Sequence, residues 1–522
     1  MTSFYEELRK SDAISDEKEN AQSRANIDKW IFRLLLFLIG FMPLVVMANV
    51  EEVISPLVSK LDVLSSGAKG DLFTHYKALL ILFITIITGA LFLVKVLFLD
   101  GTIHKTFLNY VLSLFVIAIV ISTIVSPNIF IALNGQYNRS DGAISWVCYV
   151  TLMFIAMNIE YPRNVVKYVM YTMMPFVYIN FFIITMNFYD KDLLINNAWM
   201  QSLVSLFLPE GANISEGSHL VGTLNQWNYM SGMFAILTGM YLTWAIVEKS
   251  IVPSVITLLT SLVTLSIMLM SLSTSGFVTV SILMLIILYI ALKSENKAKG
   301  LILIVSLLVM IMPVFHILAE KNPRVWSESI GFILKENPYV EKSISAKEIY
   351  NFSFANKVYA TESALELPII PESGISAGTG RTYIWGKTLE LVQDRPLIGY
   401  GLDSILYNFP HYNIDARGSL RTENTIVDKP HNVYVGILYG TGLIGFLGFI
   451  LIIVYTVLIS LKELFTKKVS ITSVLIIAWF GYLVQAIFND SLPSVTSIMW
   501  LLAGVLVSLI FLSKKDTVDK NL

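Results

Sequence analysis

Apolar runs of about 20 residues recur along this 522-residue chain and constrain its fold more than any other feature. A helix of about 20 apolar residues crosses a bilayer core of about 30 Å. The sequence therefore predicts an all-α polytopic membrane protein of about 12 transmembrane helices with a large, partly helical extracytoplasmic loop. The predicted spans lie near residues 30–49, 77–98, 105–127, 144–160, 165–187, 228–247, 252–272, 276–292, 300–319, 432–460, 471–488 and 495–512.

The composition supports this interpretation. Charged residues make up 14% of the chain, against about 25% in a soluble domain. The mean hydropathy is +0.67, so most of the chain is expected to lie in lipid. The net charge of -1 gives no indication of a nucleic-acid partner. Cys148 is the only cysteine, which excludes a disulfide framework and a cysteine-based metal site.

The positions of lysine and arginine predict the orientation. Short loops on one side of the predicted spans are rich in these residues and those on the other side are poor in them, which places both termini in the cytoplasm. The basic loops contain Lys95, Lys105, Arg163, Lys167, Lys249, Lys293, Lys297, Lys299, Lys462, Lys467 and Lys468. The predicted division is a cytoplasmic tail (1–29), helices one to nine (30–319), an extracytoplasmic loop (320–430), helices ten to twelve (431–512) and a second tail (513–522).

The extracytoplasmic loop of about 110 residues is too long for a plain connector. Within Arg381–Asp394, residues Trp385, Leu389 and Val392 recur at helical spacing and predict an apolar stripe. A tight turn is expected at 399–401. We expect this segment to cover a cavity at the outer membrane surface.

Two polar clusters lie where spans begin on the outer side. Arg139, within residues 135–142, is either an interfacial anchor or an anion clamp. Asn225, Asn228 and Tyr229 are either a helix cap with an aromatic belt or a sugar-binding group, since amides bond to hydroxyls and rings stack on sugars.

Two further clusters lie in the long loop. Arg381, Arg417 and Arg421 carry guanidinium groups that match phosphate oxygens, although each could form a solvated ion pair. Between residues 381 and 429 there are six basic and six acidic residues, so any phosphate site must be local. His431 follows Pro430, which suits the first turn of a helix. A neutral imidazole there, beside bound phosphate, could accept a proton from a hydroxyl.

Metal chemistry is only weakly indicated. Asp190 and Asp192 have an Asp-x-Asp spacing without a third ligand nearby. The sequence predicts neither a catalytic metal nor a cofactor.

Several motifs together resemble the O-antigen ligase and Wzy-type polymerase superfamily, across about 320 residues. The most specific is Pro430-His431-Asn432-Val433-Tyr434 followed by Gly440-Thr441-Gly442-Leu443-Ile444-Gly445. The others are Gly380-Arg381-Thr382-Tyr383-Ile384-Trp385, Asp394-Arg395-Pro396-Leu397-Ile398-Gly399-Tyr400-Gly401, Asn138-Arg139-x-x-Gly142 and Asn225-x-x-Asn228-Tyr229.

This resemblance implies a C-type glycosyltransferase-like fold and a glycan donor linked to undecaprenyl pyrophosphate. The pyrophosphate-binding arginines would correspond to Arg139 and Arg381, and the essential histidine to His431. Many members carry an arginine after a serine in the short hairpin that is 273–277 here, and this chain does not. Arg417 or Arg421 would then complete the donor site. Residues 322–378 have no obvious counterpart.

The expected reaction is an inverting, metal-independent glycan transfer in a cationic pocket at the outer leaflet of a bacterial plasma membrane. His431 is the expected catalytic residue, and Glu423 or Asp428 would orient it. The expected substrate contacts are Asn225, Asn228, Tyr229, Tyr400 and Asn432.

The acceptor leaves two alternatives open. A polymerase extends one lipid-linked glycan with another, whereas a ligase transfers it to a lipid, protein or wall polymer. A flippase is a third alternative, but span interiors are almost free of charge and no internal repeat is evident. Expected partners are the lipid-linked glycan and membrane lipids, together with a flippase and a chain-length regulator.

Overall fold

The structure, a computed structural model, describes residues 2–54, 66–208, 222–334, 336–340, 381–411 and 426–519. Its elements are almost all helical, which confirms the predicted all-α polytopic fold. The helices are α1 (Thr2–Phe41), α2 (His75–Phe98), α3 (Phe107–Ile124), α4 (Ile129–Asn134), α5 (Ala143–Met157), α6 (Val165–Phe188), α7 (Leu193–Asn196), α8 (Ala198–Val204), α9 (Trp227–Val247), α10 (Ile251–Met270), α11 (Thr274–Lys293), α12 (Lys297–Lys321), α13 (Arg324–Ser327), α14 (Arg381–Asp394), α15 (Ile405–Asn408), α16 (Val433–Thr466), α17 (Ser473–Phe488) and α18 (Pro493–Asp519). Single 3₁₀ turns occur at Met42–Leu44 and Ile330–Phe332.

Nine of the described helices are long and apolar enough to cross a membrane. They are α2, α3, α6, α9, α10, α11, α12, α16 and α18, and each coincides with a predicted span. The other three predicted spans fall on the apolar end of α1 and on α5 and α17, which have 15 and 16 residues.

The core of the helical bundle surrounds α9. In its apolar window 94% of the residues are buried, compared with 22% in α12, which lies at the periphery. Helix α9 packs against α10, α11 and α17. Its apolar residues occur all round the helix, as expected for a helix enclosed by others rather than by lipid.

The connections gather at two opposite ends of the bundle. At one end, Lys95 Nζ lies 2.7 Å from Asp28 Oδ1 and donates to the Asn158 carbonyl at 3.1 Å. Asp28 belongs to α1, which continues through the predicted first tail into the first span. The other end holds the segments predicted to face outward, and all polar clusters singled out above lie there or beyond the described residues.

A short hairpin that the sequence did not reveal covers part of this second end. Strands β1 (Asn49–Val53) and β2 (Gly67–Asp71) pair antiparallel, with Glu51 opposite Lys69. The Tyr407 hydroxyl donates to the Ile54 carbonyl at 2.8 Å and so links the hairpin to the long loop.

Helix α14 has the predicted bounds, and Val392 of the predicted stripe is buried, but Trp385 and Leu389 were wrong. Its buried residues are Ile384, Thr388 and Val392, whereas Leu389 is 43% exposed. Trp385 lies at the edge of the contact, where its indole N–H donates to the Pro430 carbonyl at 2.6 Å. The polar Thr388 fits the buried face because its hydroxyl bonds within the helix to the Ile384 carbonyl at 2.7 Å.

Helix α16 is broken at Gly442, whose φ of 63° is non-helical. The opened backbone is paired by the segment after α14: Leu443 N–H donates to the Pro396 carbonyl at 2.7 Å, and Gly401 N–H to the Gly440 carbonyl at 2.8 Å. A Cβ at Gly442 would lie 2.4 Å from a backbone atom of Leu397. The glycines at 399–401 and 440–442 therefore allow the backbone of the segment after α14 to pack directly against the backbone of α16.

We expect Gly442→Ala to lower the free energy of unfolding by at least about 2 kcal/mol, because the left-handed conformation and the backbone clash cannot both be relieved. Thermal unfolding of the purified protein in detergent measures this. Gly386→Ala is the matched control: it lies on the exposed face of α14 with no atom near its Cβ position, so stability should be unchanged or rise by up to about 1 kcal/mol. Equal effects of the two substitutions would contradict the assigned role of the break.

Candidate functional site

Four loop segments meet at the second end of the bundle: 135–142, 401–404, 426–432 and 489–491. The two ends of the first segment approach closely at Gly135 and Gly142. Only glycine fits at position 142, since a Cβ there would lie 2.4 Å from the Gly135 nitrogen. Gln136 joins it to the second segment, its backbone N–H donating to Asp403 Oδ2 at 2.7 Å. This loop holds Arg139 so that it points into the cluster.

Arg139 is the centre of a buried ion cluster. Its side chain is 2% exposed, and its Nε lies 3.0 Å from Asp403 Oδ1. Its Nη1 lies 2.9 Å from Asp428 Oδ2, and its Nη2 donates to the Asp428 carbonyl at 2.9 Å. The guanidinium thus connects three loop segments: Nη1 and Nη2 each donate a hydrogen bond, and Nε lies at ion-pair distance from Asp403.

The ionisation of these groups is coupled. Burial opposes the charge on Arg139, but the carboxylates of Asp403 and Asp428 outweigh it and raise the pKa of Arg139. Burial raises the pKa of Asp403 despite the attraction of Arg139. Burial also acts to raise the pKa of Asp428, yet Arg139, Lys429 and His431 together hold it below its ordinary value.

His431 lies just before α16 and is paired with an acid. Its Nδ1 is 3.2 Å from Asp490 Oδ2. Burial acts to raise the pKa of Asp490, but the adjacent His431 and the nearby Lys429 and Arg139 lower it to about 2. With Nδ1 directed to this carboxylate, Nε2 is the nitrogen left for a substrate.

The predicted position of Pro430 in the first helical turn was wrong. Helix α16 begins at Val433, and Asn432 is its N-cap, accepting from Val435 N–H at 3.1 Å. His431 has a left-handed φ of 53°. Asn432 caps the helix instead of Pro430 because its side chain accepts a hydrogen bond from a free backbone N–H, which a proline side chain cannot do.

Lys429 and Tyr229 form a second contact beside this pair. Lys429 is 5% exposed. Its Nζ lies 3.4 Å from the Tyr229 hydroxyl and 5.6 Å from the centre of that ring. A buried ammonium is thereby brought next to Asp428 and Asp490.

Arg381, the first residue of α14, is half-buried at the same end. Burial lowers the pKa of its guanidinium, and Asp490 and Tyr229 oppose that effect. Among the described residues, none forms an ion pair or hydrogen bond with this guanidinium. Arg381 therefore differs from Arg139 in that no described residue uses its donors.

Asp141 lies beneath the cluster and is buried. It accepts from Tyr149 and Trp146 at 3.2 and 3.4 Å and from the Ser491 hydroxyl. Burial and the charge of Asp403 raise the pKa of Asp141 to about 8. It is therefore mostly protonated and neutral at pH 7.

The described charges of the site balance, which differs from the cationic pocket predicted from the sequence. Three basic side chains face three acidic ones. They are Arg139, Arg381, Lys429, Asp403, Asp428 and Asp490. The cavity lined by Arg139, Asp403, Lys429 and Asp490 measures about 40 Å³ and accommodates little more than a water molecule. A lipid diphosphate would require the loops to open.

The remaining predicted site residues are placed differently. Asn225 donates from Nδ2 to the Asn138 carbonyl at 2.9 Å and so supports the Arg139 loop. The Asn228 carbonyl accepts from Asn489 at 3.4 Å. Tyr400 lies at the break in α16, where it stacks on Tyr439 with ring centres 5.2 Å apart. Arg417, Arg421 and Glu423 lie outside the described residues.

Sequence reasoning missed three residues of the cluster: Asp403, Lys429 and Asp490. The first two were only counted as loop charges. Asp490 lies in the short outer loop 489–494, where it is the only charged residue. An isolated acid between two apolar spans was a usable signal, because such a group is seldom placed there without a partner.

Removal of the Arg139 charge should be strongly destabilising. Arg139→Gln leaves two carboxylates buried without a counterion, so we expect the free energy of unfolding to fall by about 3–5 kcal/mol. The double variant with Asp403→Asn should lose clearly less than the sum of the single variants. Thermal unfolding measures both. Arg324→Gln, whose side chain is 67% exposed, is the control and should change stability little; additive effects at 139 and 403 would refute the cluster.

The pKa of Asp141 predicts a pH dependence. An aspartate in an unfolded chain has a pKa of about 4, so between pH 4 and 8 the folded state retains a proton that the unfolded state has lost. The free energy of unfolding should therefore fall as the pH rises through this window and level off above it. Asp141→Asn should reduce the dependence of the melting temperature on pH between pH 6 and 9. Asp190→Asn, at a position 83% exposed, should keep the wild-type dependence.

Comparison with known proteins gives one match, to part of the chain. Residues 259–450 match the family model described as O-antigen ligase. No curated protein matched the chain. The matched segment includes Arg381, His431 and the break in α16, whereas Arg139 and Asp490 lie outside it. Residues 259–450 are therefore similar to the O-antigen ligase family, and this similarity supports membrane glycan transfer at the level of the family.

Proposed function

We propose that this protein is a glycosyltransferase that polymerises undecaprenyl-pyrophosphate-linked repeat units of a surface polysaccharide. The reaction takes place on the outer face of a bacterial plasma membrane. The observation that carries the proposal is the His431–Asp490 pair next to Arg381, in a chain that matches the O-antigen ligase family. A histidine paired with an acid suits proton transfer, and an arginine that no described residue pairs with suits binding of a phosphate.

In the proposed reaction, an acceptor hydroxyl attacks the anomeric carbon of the donor sugar and the bond to the pyrophosphate oxygen breaks, with inversion. His431 Nε2 takes the hydroxyl proton, and Asp490 stabilises the imidazolium that forms. Arg381 neutralises charge growing on the leaving pyrophosphate. This role suits Arg381 because no described residue occupies its donors. With cationic side chains in this role, the transfer needs no divalent ion.

Arg139 and Lys429 have supporting roles in this proposal. Arg139 orders the segment that carries Asp428 and His431, since its guanidinium is held by Asp403 and Asp428. When the loops open to admit a donor, the pyrophosphate could displace one carboxylate and share Arg139. Asn225, Asn228 and Asn432 position the loops around the sugar, and Tyr229 contacts it from α9.

Two apolar grooves support a lipid-linked donor. They have volumes of about 380 and 390 Å³ and flank Tyr137, two residues from Arg139. Their walls include Leu79 and Leu82 of α2 and Phe130 of α4, and Leu79 and Phe130 are exposed on the surface of the bundle. An isoprenoid chain could lie in such a groove while its diphosphate reaches the arginine loop.

A ligase is the second candidate, and one observation favours it: the matched family model is described as O-antigen ligase. The same donor site would then serve a different acceptor.

Purified protein given only lipid-linked repeat units distinguishes the polymerase from the ligase. A ladder of longer lipid-linked chains indicates a polymerase; transfer that occurs only when a second acceptor is added indicates a ligase. In cells, deletion should leave single repeats for a polymerase and full-length chains on the carrier for a ligase.

Substitution of the proposed catalytic residues should abolish transfer in folded protein. We expect His431→Ala and Arg381→Ala each to lower the transfer rate at least about 100-fold. The first substitution removes the proton acceptor, and the second removes the positive charge that stabilises the leaving pyrophosphate in the transition state. Asp490→Asn should lower it less and shift its pH dependence. The measurement is glycan transfer in proteoliposomes, with melting temperature as the folding check.

Matched controls are His316→Ala and Arg324→Ala, two exposed positions at the same end of the bundle. Both should retain near-normal rates. Near-normal transfer by well-folded His431→Ala or Arg381→Ala would overturn the assignment of these two residues.

A further inference from the structure

A second cavity lies at the opposite end of the bundle, far from the His431 site. Its volume is about 610 Å³, within the range of ligand pockets, about 300–1,000 Å³. It is walled by the beginnings of α6 and α12, the ends of α9 and α11, and the connection before α17. The proposed glycan transfer makes no use of it.

The side chains around this cavity are predominantly basic. Four cations, Arg163, Lys167, Lys249 and Lys299, face two acids, Glu248 and Glu295, so the lining carries a net charge of +2. Helix starts and helix ends are equally represented among its walls, so their dipoles largely cancel. The side-chain charges therefore determine the sign of the local potential.

Glu248 neutralises Lys167 but not the other cations of the lining, because its carboxylate is occupied. It lies 2.7 Å from Lys167 Nζ, 3.1 Å from the Trp244 indole nitrogen and 3.0 Å from the Lys249 backbone nitrogen. Burial acts to raise the pKa of Glu248, but these donors lower it. Lys299 donates to the Glu248 backbone carbonyl, which carries no countercharge.

Two cations at the rim are available to a ligand. Arg163 is exposed and forms no ion pair with any described residue. Lys249 is 84% exposed, and its partner Glu295 is 66% exposed at 3.5 Å, a separation at which water screens the pair.

The rim lies at the level of lipid headgroups. Ile251 and Val252, which follow Lys249 in the chain, are 71% and 64% exposed and begin the apolar surface of α10. On α6, Tyr168 and Tyr171 are 47% and 49% exposed, one and two turns beyond Arg163. Exposed tyrosines next to an apolar surface are typical of the membrane interface.

We infer that this cavity binds the phosphate of an anionic phospholipid headgroup in the leaflet opposite the His431 site. Basic pockets between transmembrane helices bind such headgroups. Arg163 and Lys249 would contact the phosphate oxygens, and Lys167 and Lys299 would form the inner wall. A free phosphate has the same charge and oxygens, so the test includes it separately.

The test measures the melting temperature of the purified full-length protein in detergent against increasing concentrations of short-chain phosphatidylglycerol, phosphatidylcholine or inorganic phosphate. We expect phosphatidylglycerol to raise it and phosphatidylcholine to have little effect. In Arg163→Gln/Lys249→Gln the midpoint concentration should rise about tenfold or more, since two interfacial charges are lost. Stabilisation by inorganic phosphate alone, lost in the same variant, would also support the site and identify free phosphate as its ligand.

Two variants keep the inference falsifiable. Arg163→Lys/Lys249→Arg preserves both charges and should stay within about twofold of the wild-type midpoint. Lys18→Gln/Lys105→Gln removes two exposed charges from the same end but outside the cavity, and should leave the midpoint unchanged. Equal weakening by this control, or equal stabilisation by phosphatidylcholine, would overturn the site.

Discussion

A guanidinium enclosed by protein has to be neutralised where it lies, because the cost of burying an unpaired charge exceeds the net stability of most folds. In this protein Arg139 meets that requirement with Asp403 and Asp428, which come from loops 264 and 289 residues away in the chain. The separate loops are consequently held against one another at the end of the bundle. The position of His431, three residues beyond Asp428, depends on this pairing, and so does any chemistry that His431 performs.

The break in α16 also holds segments of the site against one another, but through backbone hydrogen bonds instead of ion pairs. A helix that continued unbroken would leave the segment after α14 without backbone partners. At Gly442 the helix opens, and Pro396 and Leu397 carbonyls accept from Leu443 and Ile444 N–H at 2.7 and 3.3 Å. Glycines at the contact allow the backbones to touch. The helix that bears Arg381 is thus fixed relative to the helix that begins beside His431.

The charges of the two bundle ends have different physical roles. At the His431 end cations and acids are buried together and compensate one another, which gives defined geometry but little net potential. At the other end the lysines and arginines outnumber the acids and are more exposed, which favours an interaction with anionic lipid. The apolar surface between the two ends suits the hydrocarbon interior of a membrane.

The sequence determined the fold class and most of the helix positions, because apolar runs of span length fold in only one way in lipid. It also determined the identity of the motif residues, among them Arg381 and His431, and the helix Arg381–Asp394. The tertiary structure alone decided which groups meet. No local pattern could reveal that Arg139 is neutralised by Asp403 and Asp428, that Asp490 pairs with His431, or that Tyr400 packs at a helix break. These pairings join residues that are distant in the chain, and burial creates the energetic demand for them only after the helices have assembled.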